Sequence, residues 1–258
     1  MPRFSAIATP PIPNRPTTAM VLAAGLATRM RPLTETTAKP LLVLGGRTLL
    51  DHALDRLAEA GVETAVVNAY WQAGRVESHL AERHPPPRCV VRRETELLDT
   101  GGGVLAALSD LGPDPFFVIN GDAFWLDGPH PALDRLVGAF DDTVDGVLLI
   151  QRTFQVHAEV GFGDFALDKL GSLRRRRERE IVPYIYAGAQ LIRPALLDAM
   201  PPGPFSMNRA WDRALQAGRL RGVVHDGIWF HLSTPADLAE AEAILQARIT
   251  GDARWPWR

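Results

Sequence analysis

One cysteine, Cys89, stands among 258 residues. That scarcity excludes an intrachain disulfide framework and any multi-cysteine metal site, and it suits a reducing cytoplasm. Excess charge of either sign is missing too, since 28 Lys and Arg face 30 Asp and Glu. Neither nucleic acid nor an anionic membrane is therefore expected as a partner. No apolar run approaches the roughly 20 residues of a membrane span. Residues 1–19 hold Pro2, Pro10, Pro11, Pro13 and Pro16 but no continuous apolar stretch, which argues against a secretory signal. A flexible leader is expected there, with a short tail at 251–258. His52, His79, His84, His130 and His157 show no metal-ligand spacing.

What is present is an ordinary globular composition, 46% hydrophobic and 22% charged. Ala19–Ala24 is a short apolar run ended by Gly25, and it reads as a buried parallel strand. Thr64–Asn68, Cys89–Val91, Pro115–Asn120, Gly146–Gln151 and Tyr184–Ile192 read as further strands. Thr48 and Asp51 resemble a capping box that opens a helix stopped by Gly61. Gln72–Arg83, Gly103–Leu111, Pro131–Phe140, Met207–Ala217 and Pro235–Ile249 are expected as helices. The arginine-rich run Arg174–Arg179 is interleaved with acids and not with aromatics, so it reads as a charge-solvated hairpin. Trp211 and Trp229 are read as core residues.

Strands alternating with helices imply an α/β fold: a Rossmann-like, mostly parallel mixed sheet flanked by helices, in a single domain over 20–250. In such sheets ligands bind beyond the carboxyl ends of the strands. Four segments fall there: Gly25–Lys39, Asn68–Trp71, Asn120–Asp122 and His231–Thr234.

The first is the most informative. Val21-Leu-Ala-Ala-Gly25 turns out of a strand and supplies Arg29, Arg31 and Lys39 within fifteen positions. Exposed amide N–H groups beside fixed cations suit a polyphosphate. The loop is not a P-loop, because Lys39 is followed by Pro40, and the dinucleotide glycine spacing fails at Ala27 and Met30. Thr100-Gly-Gly-Gly103 offers a close backbone approach or a flexible turn. Asn120-Gly-Asp122 follows an apolar strand that would carry Asp122 to the sheet edge, where a carboxylate can hold Mg²⁺ against phosphate oxygens.

Together these segments resemble the nucleotidyltransferases that join a sugar 1-phosphate to a nucleoside monophosphate. The likeness runs from Met20 to about Ile249 and is sharpest from Leu22 to Leu41. Glu96, Asp99-Thr-Gly-Gly-Gly103 and Asn120-Gly-Asp122 recur at the expected places. Gly161-Phe-Gly-Asp-Phe165 points to the subgroup of N-acetylmuramate-1-phosphate uridylyltransferases and mannose-1-phosphate guanylyltransferase-like proteins. The resemblance implies the nucleotide-diphospho-sugar transferase fold, with a nucleotide-binding half over 20–140 and a sugar-binding half over 141–250.

It further implies that Leu22, Ala23, Ala24, Gly25 and Asn68 hold the nucleotide, with Gly101 and Gly102 against the base. Arg29, Lys39 and Asp122 would be catalytic, and Asn120, Gly163 and Gly188 would face the sugar. Asp122 would bind Mg²⁺. His231 stands where the family has a second metal carboxylate, in Trp229-Phe-His-Leu-Ser-Thr234. A neutral imidazole would weaken Mg²⁺ and relatively favour Mn²⁺; alternatively the triphosphate completes the coordination, or catalysis is lost. Ala27 replaces a family glycine, which is tolerable at negative φ, and Ala38 replaces a proline. The implied reaction is UTP with N-acetylmuramate 1-phosphate in cell-wall recycling, by a cytoplasmic monomer or homodimer. GTP with mannose 1-phosphate, CTP with an alcohol phosphate, and a silent nucleotide-sugar-binding regulator are the alternatives.

Overall fold

The computed structural model describes residues 15–156, 158 and 160–250. Strand β1 (Thr18–Leu22) runs into the glycine loop, and a small hairpin of β2 (Val43–Leu44) and β3 (Arg47–Thr48) leads to helix α1 (Leu49–Glu59). Next come β4 (Thr64–Ala69), α2 (Ala73–Glu82), β5 (Arg88–Arg93), α3 (Asp99–Leu111) and β6 (Phe116–Asn120). β7 (Phe124–Leu126) and α4 (Ala132–Gly138) precede β8 (Gly146–Arg152), β9 (Phe165–Leu167), β10 (Leu173–Arg175) and β11 (Tyr184–Ile192). The chain continues through α5 (Asn208–Gln216), β12 (Leu220–Val224), β13 (Ile228–Phe230) and α6 (Pro235–Thr250).

Nine of these strands form one sheet. β1 lies between β4 and β6 with all three parallel, and β5 extends the parallel run beyond β4. β11 runs antiparallel to β6 on one side and β8 on the other, and β9 and β10 continue from it by further antiparallel pairing. β12 then adds to β8 in parallel. The parallel segments are apolar on both faces because helices cover both. Alternate residues of β1 show it: Ala19 and Val21 pack on the side of α1 and α4, while Met20 packs on the side of α3 and α5. A third cluster joins Met30, Leu44, Leu49, Phe124, Phe230 and Ile244. It ties α6 and the β7–β13 pair to the glycine loop.

The capping box forms, with the Asp51 N–H donating to Thr48 Oγ1 at 3.0 Å. Three expectations need correction. The triple glycine is the first turn of α3, not a loop before it. The strand begins at Thr18, and the Arg15 guanidinium bonds the Ala60 carbonyl at 2.9 Å and Asp134 at 2.7 Å. Residues 15–19 are therefore packed, whereas 1–14 of the expected leader and the tail at 251–258 lie outside the described residues. The φ of Ala27 is 48°, left-handed rather than negative. Thr34 Oγ1 and the Met30 N–H, at 2.9 and 3.0 Å, both donate to the Ala27 carbonyl and hold it there.

Candidate active site

The carboxyl ends of β1, β4 and β6 converge, and hydrogen bonds stitch their loops together. Asn68, the penultimate residue of β4, is buried, and its Oδ1 accepts the Ala23 N–H at 2.8 Å. Its Nδ2 donates to Glu94 Oε1 at 2.7 Å, and the other Glu94 oxygen accepts the Leu98 N–H at 3.2 Å. One amide and one carboxylate thus fix the backbone on both sides of the cleft. Gly103 leaves room for this pair, since a Cβ there would lie 2.8 Å from Asn68 Nδ2. β6 ends in Asn120-Gly-Asp122, and the Gly121 N–H donates to the Leu22 carbonyl at 2.8 Å.

That stitching opens a cleft of 420 Å³ above the sheet edge. Leu22, Ala23, Ala24, Gly25, Arg29, Lys39, Asn68, Asn120 and Asp122 all line it. Leu97, Asp99 and Thr100 complete its wall. Gly101 and Gly102 are not among the residues lining either this cleft or the cavity beside it. Both amides donate to the Phe205 carbonyl, at 2.9 and 3.1 Å. Their Cα hydrogens face the Phe205 ring and the Gly203 carbonyl, where a Cβ would approach to 2.3 and 2.4 Å. They seat α3 against the loop before α5 and leave the cleft wall to Thr100 and Asp99.

A second cavity, of 340 Å³, adjoins the first, and both are lined by Arg29, Lys39, Asn120 and Asp122. Gly188 and His231 line the second cavity and not the first, as do Asp164, Tyr186 and Trp229. Trp229 is a core residue that also forms cavity wall, its Nε1 donating to the Ala187 carbonyl at 2.9 Å. Gly163 lines neither cavity; its φ of 78° makes the turn that presents Asp164. The signal for Asp164 lay in Gly161-Phe-Gly-Asp-Phe165, whose acidic member the sequence reading passed over in favour of the glycine.

At the junction, Lys39 Nζ meets Asp122 Oδ2 at 2.5 Å, the two side chains being 13% and 34% exposed. Arg29 is exposed and has no hydrogen-bond or ion-pair partner among the described residues. One unpaired cation and one shared cation therefore face the place where the cavities join. Burial holds the His231 imidazole below the ordinary histidine pKa. Arg29 and Lys39 act in the same direction, and Asp237 and Asp122 oppose them. His231 is neutral at pH 7.

Among the described residues no group of three His, Cys, Asp or Glu side chains is placed to hold a metal. That pattern fits Mg²⁺ brought in with a polyphosphate, because Mg²⁺ takes one or two carboxylates and fills its shell with phosphate oxygens and water. Asp122 is the carboxylate suited to it. The imidazole of His231 is a poorer donor for so hard a cation.

Two joined cavities sharing cations and a carboxylate, on the carboxyl edge of a mostly parallel sheet, suit an enzyme that brings a phosphorylated donor together with a second ligand. Residues 19–194 match the MobA-like NTP transferase domain. The chain is 41% identical over 235 residues to N-acetylmuramate alpha-1-phosphate uridylyltransferase of Caulobacter vibrioides, spanning 89% of this chain and 97% of that protein. It is 30% identical over 232 residues to the protein of the same name from Neisseria meningitidis serogroup B, spanning 89% and 98%. In fold it matches UDP-glucose pyrophosphorylase, solved with UDP-glucose, at a TM-score of 0.76 and 17% identity, covering 90% and 99% of the two chains. The chain belongs to the MobA-like NTP transferase family, among its sugar-1-phosphate nucleotidyltransferases. It transfers a nucleoside monophosphate from an NTP to a sugar 1-phosphate.

Proposed function

We propose that the donor is UTP and the acceptor N-acetylmuramate 1-phosphate, so that the product is the UDP-sugar and pyrophosphate leaves. The supporting comparison is the 41% identity across 97% of the Caulobacter uridylyltransferase. The observation that carries the two-substrate reading is the pair of cavities meeting at Arg29, Lys39 and Asp122. In this reading the 420 Å³ cleft takes the nucleotide and the 340 Å³ cavity the sugar.

The sugar phosphate oxygen attacks the α-phosphorus of UTP in line, and the bond from that phosphorus to the bridging oxygen of the pyrophosphate breaks. A phosphate monoester is ionised at pH 7, so the step needs no strong general base. What the protein supplies is alignment and positive charge. Arg29, without a side-chain partner among the described residues, takes up charge on the triphosphate. Lys39 sits where both substrates' phosphates come together and exchanges its contact with Asp122 for them. Asp122 would hold Mg²⁺, which supplies charge neutralisation on the phosphate oxygens when bound. Each well-placed cation is worth roughly 3 kcal/mol of barrier, about two orders of magnitude in rate. The reaction belongs in the cytoplasm, where nucleoside triphosphates are available, and serves the reuse of cell-wall sugars.

Pyrophosphate release from a panel of four NTPs against N-acetylmuramate, N-acetylglucosamine, mannose and glucose 1-phosphates tests this reading. Selective turnover of UTP with N-acetylmuramate 1-phosphate is expected. Preference for GTP with mannose 1-phosphate overturns the substrate assignment, and nucleotide binding without turnover of any pair marks a silent regulator.

A further inference from the structure

We infer that Asp164 determines sugar specificity: its carboxylate accepts a hydrogen bond from a hydroxyl or amide N–H of the sugar on the side away from the phosphate. This rests on the reading of the second cavity as the sugar site. Asp164 is held by its own backbone on both sides. Its N–H donates to the Tyr184 carbonyl at 2.8 Å, and its carbonyl accepts the Arg176 N–H at 3.0 Å. The turn before it depends on Gly163, where a Cβ would come within 2.1 Å of the Val182 carbonyl. The side chain reaches across the start of β11, and Oδ2 accepts the Tyr186 N–H at 3.0 Å.

One carboxylate oxygen is thereby fixed to the strand. The other, Oδ1, has no protein donor among the described residues, on a residue that lines the cavity. The same cavity is walled by apolar Val160, Ile185, Ala187 and Trp229 and by polar Asn120, His231 and Ser233, and Asp164 itself is exposed. Arg29, Lys39 and Asp122 lie at the junction with the nucleotide cleft and serve the phosphates. Asp164 is thus the anionic acceptor left for the body of the sugar. A fixed acceptor on a cavity wall discriminates among sugars by the hydroxyl or amide N–H that pairs with it.

Asp164→Asn separates this role from a structural one. The asparagine carbonyl still accepts the Tyr186 N–H, while an NH₂ group replaces the acceptor that faces the sugar. In the full chain, Asp164→Asn is expected to raise the KM for the sugar 1-phosphate about tenfold or more. The KM for UTP and the melting temperature are expected to stay unchanged. In a series of monodeoxy and N-deacetylated sugar 1-phosphates, the analogue lacking the donor should be handled equally by wild type and Asp164→Asn. An unchanged sugar KM, a parallel rise in both KM values, or the same loss for every analogue overturns the inference.

Calorimetric binding of the sugar 1-phosphate to protein loaded with a non-hydrolysable UTP analogue reads the cavity without turnover. Binding that Asp164→Asn weakens, in a protein with no turnover, supports the inference while sinking the transfer reading. Equal binding by wild type and Asp164→Asn overturns the inference, whatever the turnover.

Discussion

Ala27 is the residue at which local geometry departs most clearly from what its side chain prefers. An alanine at φ 48° carries a strain of about 1–2 kcal/mol that a glycine avoids. The Thr34 and Met30 donors to its carbonyl keep it there. Ala27→Gly is therefore expected to raise the melting temperature by roughly 2–4 °C, with UTP affinity unchanged; a fall in melting temperature would show that the loop is not strained at this position. The identity of Ala27 was legible in the sequence, but the sign of its φ was not, because it is set by a threonine seven residues away.

His225 shows the same division between type and environment. Its side chain is buried, and burial holds its pKa below the ordinary histidine value against the pull of Asp127 and Asp226. The folded state keeps it neutral while the unfolded chain protonates normally. Stability is thus undiminished above about pH 6.5 and falls as pH drops below it, by at most about 1.4 kcal/mol per pH unit from this group. Denaturant titrations between pH 7 and 5 should show this loss, and His225→Gln should flatten it. An equally steep profile in the variant would assign the acid sensitivity to other groups.

Among the elements, α3 shows why close packing escapes a reading by periodicity. Three glycines suggest a turn, yet they open a helix: the segment at 203–205 approaches too closely for a Cβ at Gly101 or Gly102, and the Asn68–Glu94 pair does so at Gly103. Gly102→Ala would put a methyl 2.4 Å from the Gly203 carbonyl, a backbone atom that moves only with its loop. A destabilisation of about 1–3 kcal/mol is expected, together with a raised KM for UTP, because Thr100 and Asp99 form cleft wall. Gly138, in α4, meets nothing within 4 Å, so Gly138→Ala is the control and should gain up to about 1 kcal/mol. If both variants melt alike, close approach is not what selects glycine at 102. Most of the longer strands and helices were legible because apolar spacing sets them; β12, with arginine and glycine at its second and third positions, was not. β2, β3, β7, β9, β10 and β13 are two or three residues long, too short to carry a period, and β7 and β13 exist only because they find each other.

At the scale of the molecule, the sheet's stability and the site's charge are separable. The two large clusters pack the faces of the sheet without using Arg29, Lys39 or Asp122. Arg29 has no partner to lose among the described residues, so Arg29→Ala is expected to leave the unliganded melting temperature unchanged. Its contribution appears only through ligand linkage. UTP with Mg²⁺ at about 100 times its Kd should stabilise the folded chain by roughly 2.7 kcal/mol, or about 5–10 °C in melting temperature. Arg29→Ala should cut that shift substantially at the same ligand concentration. Lys39→Ala should do so as well, and it should also lower the unliganded value slightly, because Asp122 loses its counter-charge at a site 34% exposed. Thermal melts of the three proteins with and without UTP separate the two contributions. A full ligand shift in Arg29→Ala would remove that cation from the triphosphate site, and an unliganded loss as large as the ligand shift would mean that the site's charges hold the fold together.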